Sequence, residues 1–487
     1  MRRLGILFAL ISTLVPACGK NIDNAEYVGA IQKIASGTPK WVDRTAVGRR
    51  LWKVEQEFYK SRKYLPAWVD GNETTRHWKD LVAQLKYSES HGLDPRRYGV
   101  DGFERHREES QTRLRGTRFP VEVVPELDAR MTYAYLQYAA DLLGWTHTAR
   151  DVHRNWLTDV KKEDLAARLT GAILQNRIRD SLEELAPTHP QYKGLQAALA
   201  AESKSSTGNR DRIRMNMERW RWAPRDLGDR YVLINVPAYV MQVNENNHPV
   251  LSMRVIVGDP ENQTPLFSDE MTYIVFSPYW NIPPQILREE TLPRVARDPG
   301  FLERNNIEVV GTSGTLIDPN SIDWSDEFAA ENVRFRQRPG ADNALGLVKF
   351  IFPNNFNVYL HDTPTDKLFF KEQRTLSHGC IRIEQPVELA RYVLRDQPEW
   401  TEARIQQAMH ARRERAVKLR SPIPVHIGYW TAWVEPDGKT VTYTGDPYGI
   451  DAAHARIIGK GIASRADRPA YSKARRQSQT KTSQATM

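Results

Sequence analysis

The chain has 487 residues, of which 40% are hydrophobic, so it can bury a substantial core in two or three domains. Its formal net charge of +9 is concentrated at the ends: residues 456–487 carry +7, Arg2 and Arg3 add +2, and residues 4–455 sum to zero. A neutral body excludes a basic groove that follows nucleic-acid phosphates. The tail lacks apolar periodicity, so we expect it to be disordered, and to solubilise the chain or attract it weakly to an anionic envelope surface.

The N-terminus predicts export. A basic start precedes the mostly apolar run 4–15, which is too short to span a bilayer, and the sequence VPAC follows at 15–18. This is the layout of a secretory signal peptide over residues 1–17. An ordinary signal peptidase could cut after Ala17, or the same bond could be a lipobox site that leaves a lipid on Cys18. Both interpretations predict an exported protein, soluble or lipid-tethered.

The first domain is predicted to be helical. Residues 18–48 are mixed in composition, and we expect them to form a flexible lead. From 49 to 200, apolar residues recur at three-to-four spacing, which predicts an all-α domain. Gly92 and Gly144 follow periodic segments and predict helix ends. The polar, small-residue segment 201–212 predicts a linker.

Beyond the linker the pattern becomes that of β-strands. Residues 231–243 and 250–258 are two β-runs joined by the turn sequence NENNHP. Further patterns predict strands within 271–284, 347–354, 356–362, 424–435 and 439–445, and a helix over 385–394. The insert 285–333 has mixed helical and turn signals. The predicted fold class is therefore α+β, with a mostly β domain over residues 213–455 after the helical one.

One of these strands carries a histidine that can face a cleft. In FNVYLHD, Val358 and Leu360 alternate with Tyr359 and His361. If the first pair faces the core, Tyr359 and His361 project together from the other face, because side chains alternate along a strand. His361 also lies at the strand end, before the turn-forming sequence Asp-Thr-Pro.

A thiol follows His361 by nineteen positions. Thiol catalysis needs a base within hydrogen-bond reach, so we expect a poised sulfur anion at Cys380 with His361 close enough to exchange its proton. The main-chain N–H groups of His378, Gly379 and Cys380 could receive an oxyanion. Arg382 would share the face of Cys380 on a strand and could bind a substrate carboxylate bidentately.

Other interpretations of these residues stay open. His361, Asp362, His378 and Cys380 are metal-ligand types, although the sequence has no CxxC or HExxH spacing that supports zinc. Cys380 could be an inert structural thiol, and the ring of His378 could be the base. Asp362 would point away from its neighbour His361 on a strand, so a main-chain carbonyl is expected to orient the imidazole.

The sequence HD followed by SHGCIR resembles the active-site signature of the L,D-transpeptidases of bacterial cell walls. Other segments resemble the large periplasmic branch of that family: NMERWRWAP, VIVGDPENQTP, SPYWNIPP, RQRPGADNALGLVKFIFPN and YWTAWVEPDG. This resemblance implies a helical scaffold over the first domain and a lid over the cleft at 285–333. Longer members carry a peptidoglycan-binding helical module before NMERWRW. Here only 201–212 occupies that place, so the scaffold or lid is expected to contact glycan.

The resemblance also implies a cysteine acyltransferase without metal or organic cofactor. It implies that Cys380 is the nucleophile and His361 the proton donor and acceptor. The amides of 378–380 would border the oxyanion, and the substrate cleft would hold Arg382, Ser377, Tyr359 and Trp280. Core packing is the alternative for the two aromatic residues. A carbapenem is expected to acylate Cys380.

The implied reaction takes place on peptidoglycan stem peptides in the periplasm. Cys380 attacks the carbonyl after the third residue of a tetrapeptide stem, D-alanine leaves, and a thioester remains. The side-chain amine of a second stem then attacks and forms a 3→3 cross-link. Water as acceptor would give an L,D-carboxypeptidase, and a protein amine would give a protein–murein link. A catalytically silent wall-binding protein and a zinc hydrolase are the alternatives from other classes.

Overall fold

The computed structural model describes six stretches of the chain: residues 23–114, 119–159, 161–203, 205–298, 300–324 and 333–466. The predicted signal peptide, Cys18 and the tail beyond Ala466 lie outside them. In these stretches no helix has both the length and the hydropathy that crossing a membrane would require.

Two compact units divide the chain. The first comprises the residues up to Ser88, Asp94–Ala139 and Glu163–Glu184, and the second comprises Glu89–Leu93, Ala140–Lys162 and the residues from Leu185 onward. These limits differ in detail from the predicted domains, whose boundaries stay a prediction. The second unit contains the large β-sheet and all the predicted site residues that the structure describes.

The N-terminal half of the described chain is helical. Its helices are α1 Val28–Ala35, α2 Ala46–Ser61, α3 Arg76–Tyr87, α4 Val100–Leu114, α5 Val124–Leu142, α6 Ala149–Val152, α7 Leu165–Leu174, α8 Ile178–Glu183 and α9 Pro190–Ala201. Two short strands, β1 Val69–Asp70 and β2 Glu73–Thr74, form a hairpin within the region predicted as all-α. The predicted helix ends at Gly92 and Gly144 are confirmed, since both glycines have the positive φ that ends helices.

The predicted flexible lead is wrong for the residues that the structure describes. It contains α1, and Tyr27, Ile31 and Ala35 are buried there at helical spacing. The helical segment starts at a cap, because the side chain of Asp23 accepts a hydrogen bond from the N–H of Ala25. The helix was not predicted because its apolar stripe is short and polar residues lie between the apolar ones in the sequence.

Two other segments predicted as irregular are partly helical. Helix α10, Thr207–Trp222, begins inside the predicted linker 201–212. Helix α16, Ile450–Ala466, extends into the tail that was predicted to be disordered from 456. Helix α10 is rich in charged residues and α16 contains two glycines, so neither segment shows a clear apolar periodicity in the sequence. The remaining helices are α11 Pro284–Ile286, α12 Leu292–Arg297, α13 Phe301–Arg304, α14 Pro386–Val393 and α15 Glu402–Met409.

Strands dominate the second unit. They are β3 Arg230–Asn235, β4 Val240–Glu245, β5 His248–Gly258, β6 Ser268–Phe276, β7 Trp280–Asn281, β8 Ile307–Gly311, β9 Leu316–Ile317, β10 Val333–Gln337, β11 Val348–Ile351, β12 Leu360–His361, β13 Thr375–Ser377, β14 Ile381–Ile383, β15 Arg415–Gly428, β16 Ala432–Val434 and β17 Val441–Tyr443. The predicted run 231–243 is two strands, because the chain turns at Tyr239, which has a positive φ. The turn NENNHP is confirmed between β4 and β5, with Asn246 and Asn247 both at positive φ.

The main sheet closes on itself. In the described chain it has nine strands in the order β13-β5-β14-β12-β11-β6-β15-β3-β4, and β4 also pairs with β5. Its interior is apolar, and helices α14 and α15 add Leu389, Val393 and Ile405 to the same core cluster. The α+β fold class is thus confirmed, with a helical N-terminal region and a mostly β C-terminal domain.

The predicted insert is a small α/β layer with its own core. Strands β7, β10, β8 and β9 form a four-stranded sheet in that order, and helices α11–α13 lie between β7 and β8 in the chain. A π-helical turn, Leu287–Thr291, joins α11 to α12. The core of this layer contains Ile282, Val295, Leu302, Val309 and Phe335.

Helix α10 is tied to the C-terminal helix through buried charge. The fully buried Arg219 side chain places Nη2 2.7 Å from Oδ1 of Asp451 on α16. Asn216 on the same helix accepts the N–H of Thr431 at 2.8 Å and donates to its hydroxyl at 3.1 Å. A buried guanidinium is tolerated only when paired, so α10 and α16 depend on each other.

Candidate active site

Four predicted site residues lie on one face of two adjacent parallel strands. Strand β12 pairs with β14 so that His361 is in register with Arg382. Tyr359 and Cys380 come two residues earlier, each directly before its strand begins, and the N–H of Ile381 donates to the carbonyl of Tyr359 at 3.1 Å. The intervening residue of each strand is fully buried in the core. Because side chains alternate, Tyr359, His361, Cys380 and Arg382 all project from the opposite face. Cys380 and His361 are thus diagonal neighbours, a relation that spans about 7–8 Å between Cα atoms.

Burial and hydrogen bonds act in opposite directions on the thiol. Cys380 is half-buried, and its Sγ lies 3.7 Å from the carbonyl oxygen of Asn357. Burial raises the pKa of the Cys380 thiol, whereas the main-chain N–H and phenolic O–H of Tyr359 and the charge of Arg382 lower it, and burial prevails. The sulfur therefore rests as a thiol near neutral pH, which differs from the anion that the sequence led us to expect.

His361 is held as a neutral base. Its side chain is buried, and Nδ1 lies 2.6 Å from the carbonyl oxygen of Asp362, so Nδ1 carries the proton and Nε2 has a free lone pair. Burial, followed by the charge of Arg382, lowers the pKa of His361 to about 3. The prediction that a main-chain carbonyl orients the imidazole is confirmed. The carboxylate of Asp362 instead accepts the N–H groups of Leu347 and Thr363 at 2.8 and 2.7 Å.

Arg382 is a cation without a protein partner. Its Nε is buried without a hydrogen-bond acceptor, and among the described residues the guanidinium forms no ion pair. Burial lowers its pKa, and the charge of Cys380 acts in the opposite direction. An unpaired guanidinium beside the nucleophile can accept an anionic group of a substrate.

The turn that presents the Cys380 thiol is fixed by hydroxyl groups. Ser377 Oγ accepts the N–H of Gly379 at 3.2 Å and donates to the carbonyl of Cys380 at 2.5 Å. Thr264 donates from its hydroxyl to the Gly379 carbonyl at 2.9 Å and accepts the N–H of Gly258 at 2.9 Å. Gly379 has φ of +108°, a conformation that other residues rarely adopt.

These contacts revise two predicted roles. Ser377 is buried and its hydroxyl is engaged within the turn, which differs from the predicted substrate contact. The N–H of Gly379 is occupied by Ser377. Within the described ranges, the N–H groups of His378 and Cys380 have no hydrogen-bond acceptor, so these two remain available for an oxyanion.

The insert touches the turn directly. Nε2 of His378 lies 2.9 Å from Oε1 of Glu290 in the π-helical turn. Gln285 donates from its side chain to Oδ1 of Asn262, 3.3 Å away, in the loop that follows β5. Trp280 packs against the apolar core of the insert, so the structure places it in that core cluster.

Family comparisons decide the class of this domain. Residues 229–425 match the YkuD family model, which is described as an L,D-transpeptidase catalytic domain. This match assigns residues 229–425, and not the whole chain, to the L,D-transpeptidase family. Residues 54–199 match a second model, the scaffold domain. The implied combination of scaffold and L,D-transpeptidase domain is therefore confirmed.

Known proteins resemble this chain to different degrees. The name of one Haemophilus influenzae protein assigns it provisionally as an L,D-transpeptidase. That protein is 29% identical to this chain over 404 residues, which cover 81% of this chain and 77% of the relative. Two solved structures each match 41% of this chain. One is an L,D-transpeptidase from Mycobacterium smegmatis, with 14% sequence identity and a TM-score of 0.19. The other is L,D-transpeptidase 1 from Mycobacterium tuberculosis, with 11% sequence identity and a TM-score of 0.16. The match spans 58% and 60% of those chains. At such TM-scores the two structures add nothing to the assignment.

Three residues around the candidate site were not identified from the sequence. Lys349 lies in register with His361 on β11, Thr264 holds the Gly379 carbonyl, and Glu290 contacts His378. The alternation of VKFI could have placed Lys349 on the outer face of its strand. Neither Thr264 nor Glu290 lies within a periodic pattern that the sequence connects to the site.

Proposed function

We propose that this protein forms 3→3 cross-links in peptidoglycan through a thioester on Cys380. The observation that carries the proposal is the shared face of β12 and β14, on which the thiol, the imidazole of His361 and the unpaired guanidinium of Arg382 lie side by side. A nucleophile, a neutral base and an anion receptor are the groups that acyl transfer from a charged peptide requires.

Acylation begins from the neutral thiol. Nε2 of His361 takes the S–H proton as the sulfur of Cys380 attacks the carbonyl carbon after the third residue of a tetrapeptide stem. The resulting oxyanion is stabilised by the free N–H groups of His378 and Cys380. The carbon–nitrogen bond then breaks, the imidazolium gives its proton to the leaving nitrogen, and D-alanine departs. The acyl group stays on sulfur as a thioester.

Deacylation repeats the proton transfers with a second stem. The side-chain amine of its diaminoacyl residue attacks the thioester carbon, and His361 accepts a proton from that nitrogen. The carbon–sulfur bond breaks and the sulfur of Cys380 recovers a proton from the imidazolium. A new amide bond joins the third residues of the two stems, and the enzyme returns to its resting state.

Intact-mass analysis with a disaccharide tetrapeptide tests this proposal. We expect a protein adduct that corresponds to loss of D-alanine, followed by a cross-linked dimer. Cys380→Ala should abolish both species, and His361→Ala should slow adduct formation about 10²- to 10⁴-fold. Turnover by Cys380→Ala would refute the nucleophile assignment. Release of a tripeptide without dimer would indicate an L,D-carboxypeptidase instead.

A carbapenem provides an independent test of the nucleophile. The strained lactam should acylate the same sulfur and leave a covalent mass adduct on the peptide that contains Cys380. Cys380→Ala should show no adduct, and a variant of the exposed Ser313, Ser313→Ala, should react as the wild type does. An adduct on another residue would contradict the proposed site.

The cell-wall role depends on export to the periplasm. The basic start, apolar run and VPAC sequence support cleavage after Ala17. The proposal further includes a lipid on Cys18 as one of two possible mature N-termini. The mass of the N-terminal peptide from protein produced in a bacterial envelope distinguishes a lipidated Cys18 from a free one.

A further inference from the structure

His361 lies between two cationic residues on three adjacent strands. Lys349 on β11 is its antiparallel partner, and Arg382 on β14 is its parallel partner. Residues in register on neighbouring strands share a face, so the three side chains form a row. With strands about 4.8 Å apart, the two cations stem from positions about 10 Å apart, with the imidazole between them.

The ammonium group of Lys349 has unused hydrogen-bond donors. Within the described part of the chain it makes no hydrogen bond, and its one ion pair is long, with Nζ 3.9 Å from Oε2 of Glu414. That carboxylate already accepts the N–H of Tyr279 at 2.8 Å. The Lys349 side chain is only 16% exposed, and Nζ lies 5.9 Å from the centre of the Tyr359 ring. A lysine with three donors is thus held beside His361 and Tyr359 with little protein to bind.

We propose that Lys349 binds the carboxylate of the departing amino acid, while Arg382 binds an anionic group on the acyl side of the scissile bond. This assignment rests on the proposed function. His361 must give its proton to the leaving nitrogen, so that nitrogen lies at the imidazole. The carboxylate of the leaving residue is attached one carbon away from this nitrogen. Lys349 lies on the side of His361 away from β14, so it can bind that carboxylate when the leaving residue extends over β11.

Binding of an anionic donor at this row of side chains also makes His361 a stronger base. The charges of Arg382 and Lys349 both lower the pKa of His361, after burial. Carboxylates that neutralise the two cations remove that effect, so a doubly anionic donor makes the imidazole a stronger base as it binds. Lys349 is thus a specificity-determining residue for donor stems that end in a free carboxylate.

The test compares two donors that differ in one group: a tetrapeptide stem with a free terminal carboxylate and the same stem as its terminal amide. Wild type should prefer the free acid in kcat/KM for acyl-enzyme formation. Lys349→Met should lower kcat/KM for the acid about 10- to 100-fold, as expected for one lost charge-assisted hydrogen bond, and change the value for the amide much less. Lys349→Arg should keep the preference.

Glu414→Gln is the matched control. If Lys349 only supports the fold through Glu414, Glu414→Gln should lower turnover of both donors as Lys349→Met does, and this would overturn the inference. If the inference is right, Glu414→Gln retains the acid preference. An equal loss for acid and amide in Lys349→Met would also overturn it. Failure of wild type to acylate with either donor would instead refute the proposed function.

Discussion

The hydroxyl of Ser377 donates to the carbonyl oxygen of Cys380 at 2.5 Å and so closes the turn that carries the Cys380 thiol. It also accepts the N–H of Gly379, which fixes the one residue of this turn with a positive φ. The orientation of Cys380 therefore depends on a side chain three residues earlier, and not only on the strand that follows it.

Ser377→Ala should loosen this turn. Both hydrogen bonds are lost and the buried N–H of Gly379 is left without an acceptor, so we expect the free energy of unfolding to fall by about 1–3 kcal/mol. Because the turn carries the oxyanion donors, kcat should fall by more than KM changes. Denaturant unfolding and steady-state kinetics measure the two effects. Ser313→Ala, at an exposed position in the insert, is the control. Unchanged kcat in Ser377→Ala would contradict this role.

The pH dependence of thiol alkylation should show a protonated resting thiol. Burial raises the pKa of Cys380 above its ordinary value of 9.0, so its rate of reaction with iodoacetamide should still be rising at pH 9. The phenolic O–H of Tyr359 stabilises the thiolate, so Tyr359→Phe should slow alkylation at pH 8, by up to about tenfold.

Tyr87→Phe, at an exposed tyrosine of the first unit, is the control for that comparison. It should leave the alkylation profile of Cys380 unchanged. A plateau of the wild-type rate that begins below pH 7 would show that the resting site holds a thiolate–imidazolium pair, and the neutral-thiol description would then be wrong.

Arg382→Gln should shift the pKa values of His361 and Cys380, the two proposed catalytic groups, in the same direction. The guanidinium lowers the pKa of His361 and of Cys380, so its removal should raise both. The acid limb of acyl-enzyme formation, expected near pH 3 in wild type, should move towards pH 6.5. NMR titration of the His361 ring measures the shift directly. Arg382→Lys should retain the low pKa of His361. Arg391→Gln, on the exposed side of α14, should leave that pKa unchanged.

The half-buried His189 should make the fold sensitive to acid. Burial lowers the pKa of His189 to about 4, and its ring stacks on Trp220 with centroids 4.3 Å apart. Between pH 6.5 and 4 the unfolded chain binds a proton there that the folded chain does not. The contribution to stability is therefore fully present above about pH 6.5 and is lost as pH falls towards 4, at up to about 1.4 kcal/mol per pH unit.

Denaturant unfolding at several pH values checks this expectation. His189→Gln should lower the free energy of unfolding at pH 7 and flatten its decline between pH 6.5 and 4 relative to wild type. His248→Gln, at an exposed histidine in the β4–β5 hairpin, should keep the wild-type slope. If His189→Gln and wild type decline equally, His189 does not contribute to acid sensitivity.

The sequence contained most of what is needed to find the reacting pair. Alternation in FNVYLHD placed Tyr359 and His361 on one face, and the register of β12 with β14 brings Cys380 and Arg382 to that same face. The local pattern was sufficient because Leu360 and Ile381, the residues between these pairs, are buried in the core. The side chains on either side of them therefore project from the opposite face of the sheet. The protonation states could not be predicted, since they depend on burial by distant parts of the chain.

Long-range contacts explain what was missed. Lys349 joins the site only through its pairing with His361 across β11 and β12, and the strand pattern alone does not give a register. Within the region predicted as all-α, residues 165–183 form two helices instead of one, because Asn176 adopts a positive φ between α7 and α8. Asparagine adopts a positive φ more readily than most residues but usually does not adopt it, so the sequence indicates this helix break only weakly.

The pairing of Arg219 with Asp451 limits how this protein can be shortened. A recombinant fragment trimmed to the catalytic match at 229–425 would lose both partners, and one trimmed to begin at 229 but keeping the C-terminus would leave the Asp451 carboxylate without its guanidinium. Thr431 would also lose the amide of Asn216. For expression or crystallisation, a soluble piece should begin upstream of α10 and extend through α16.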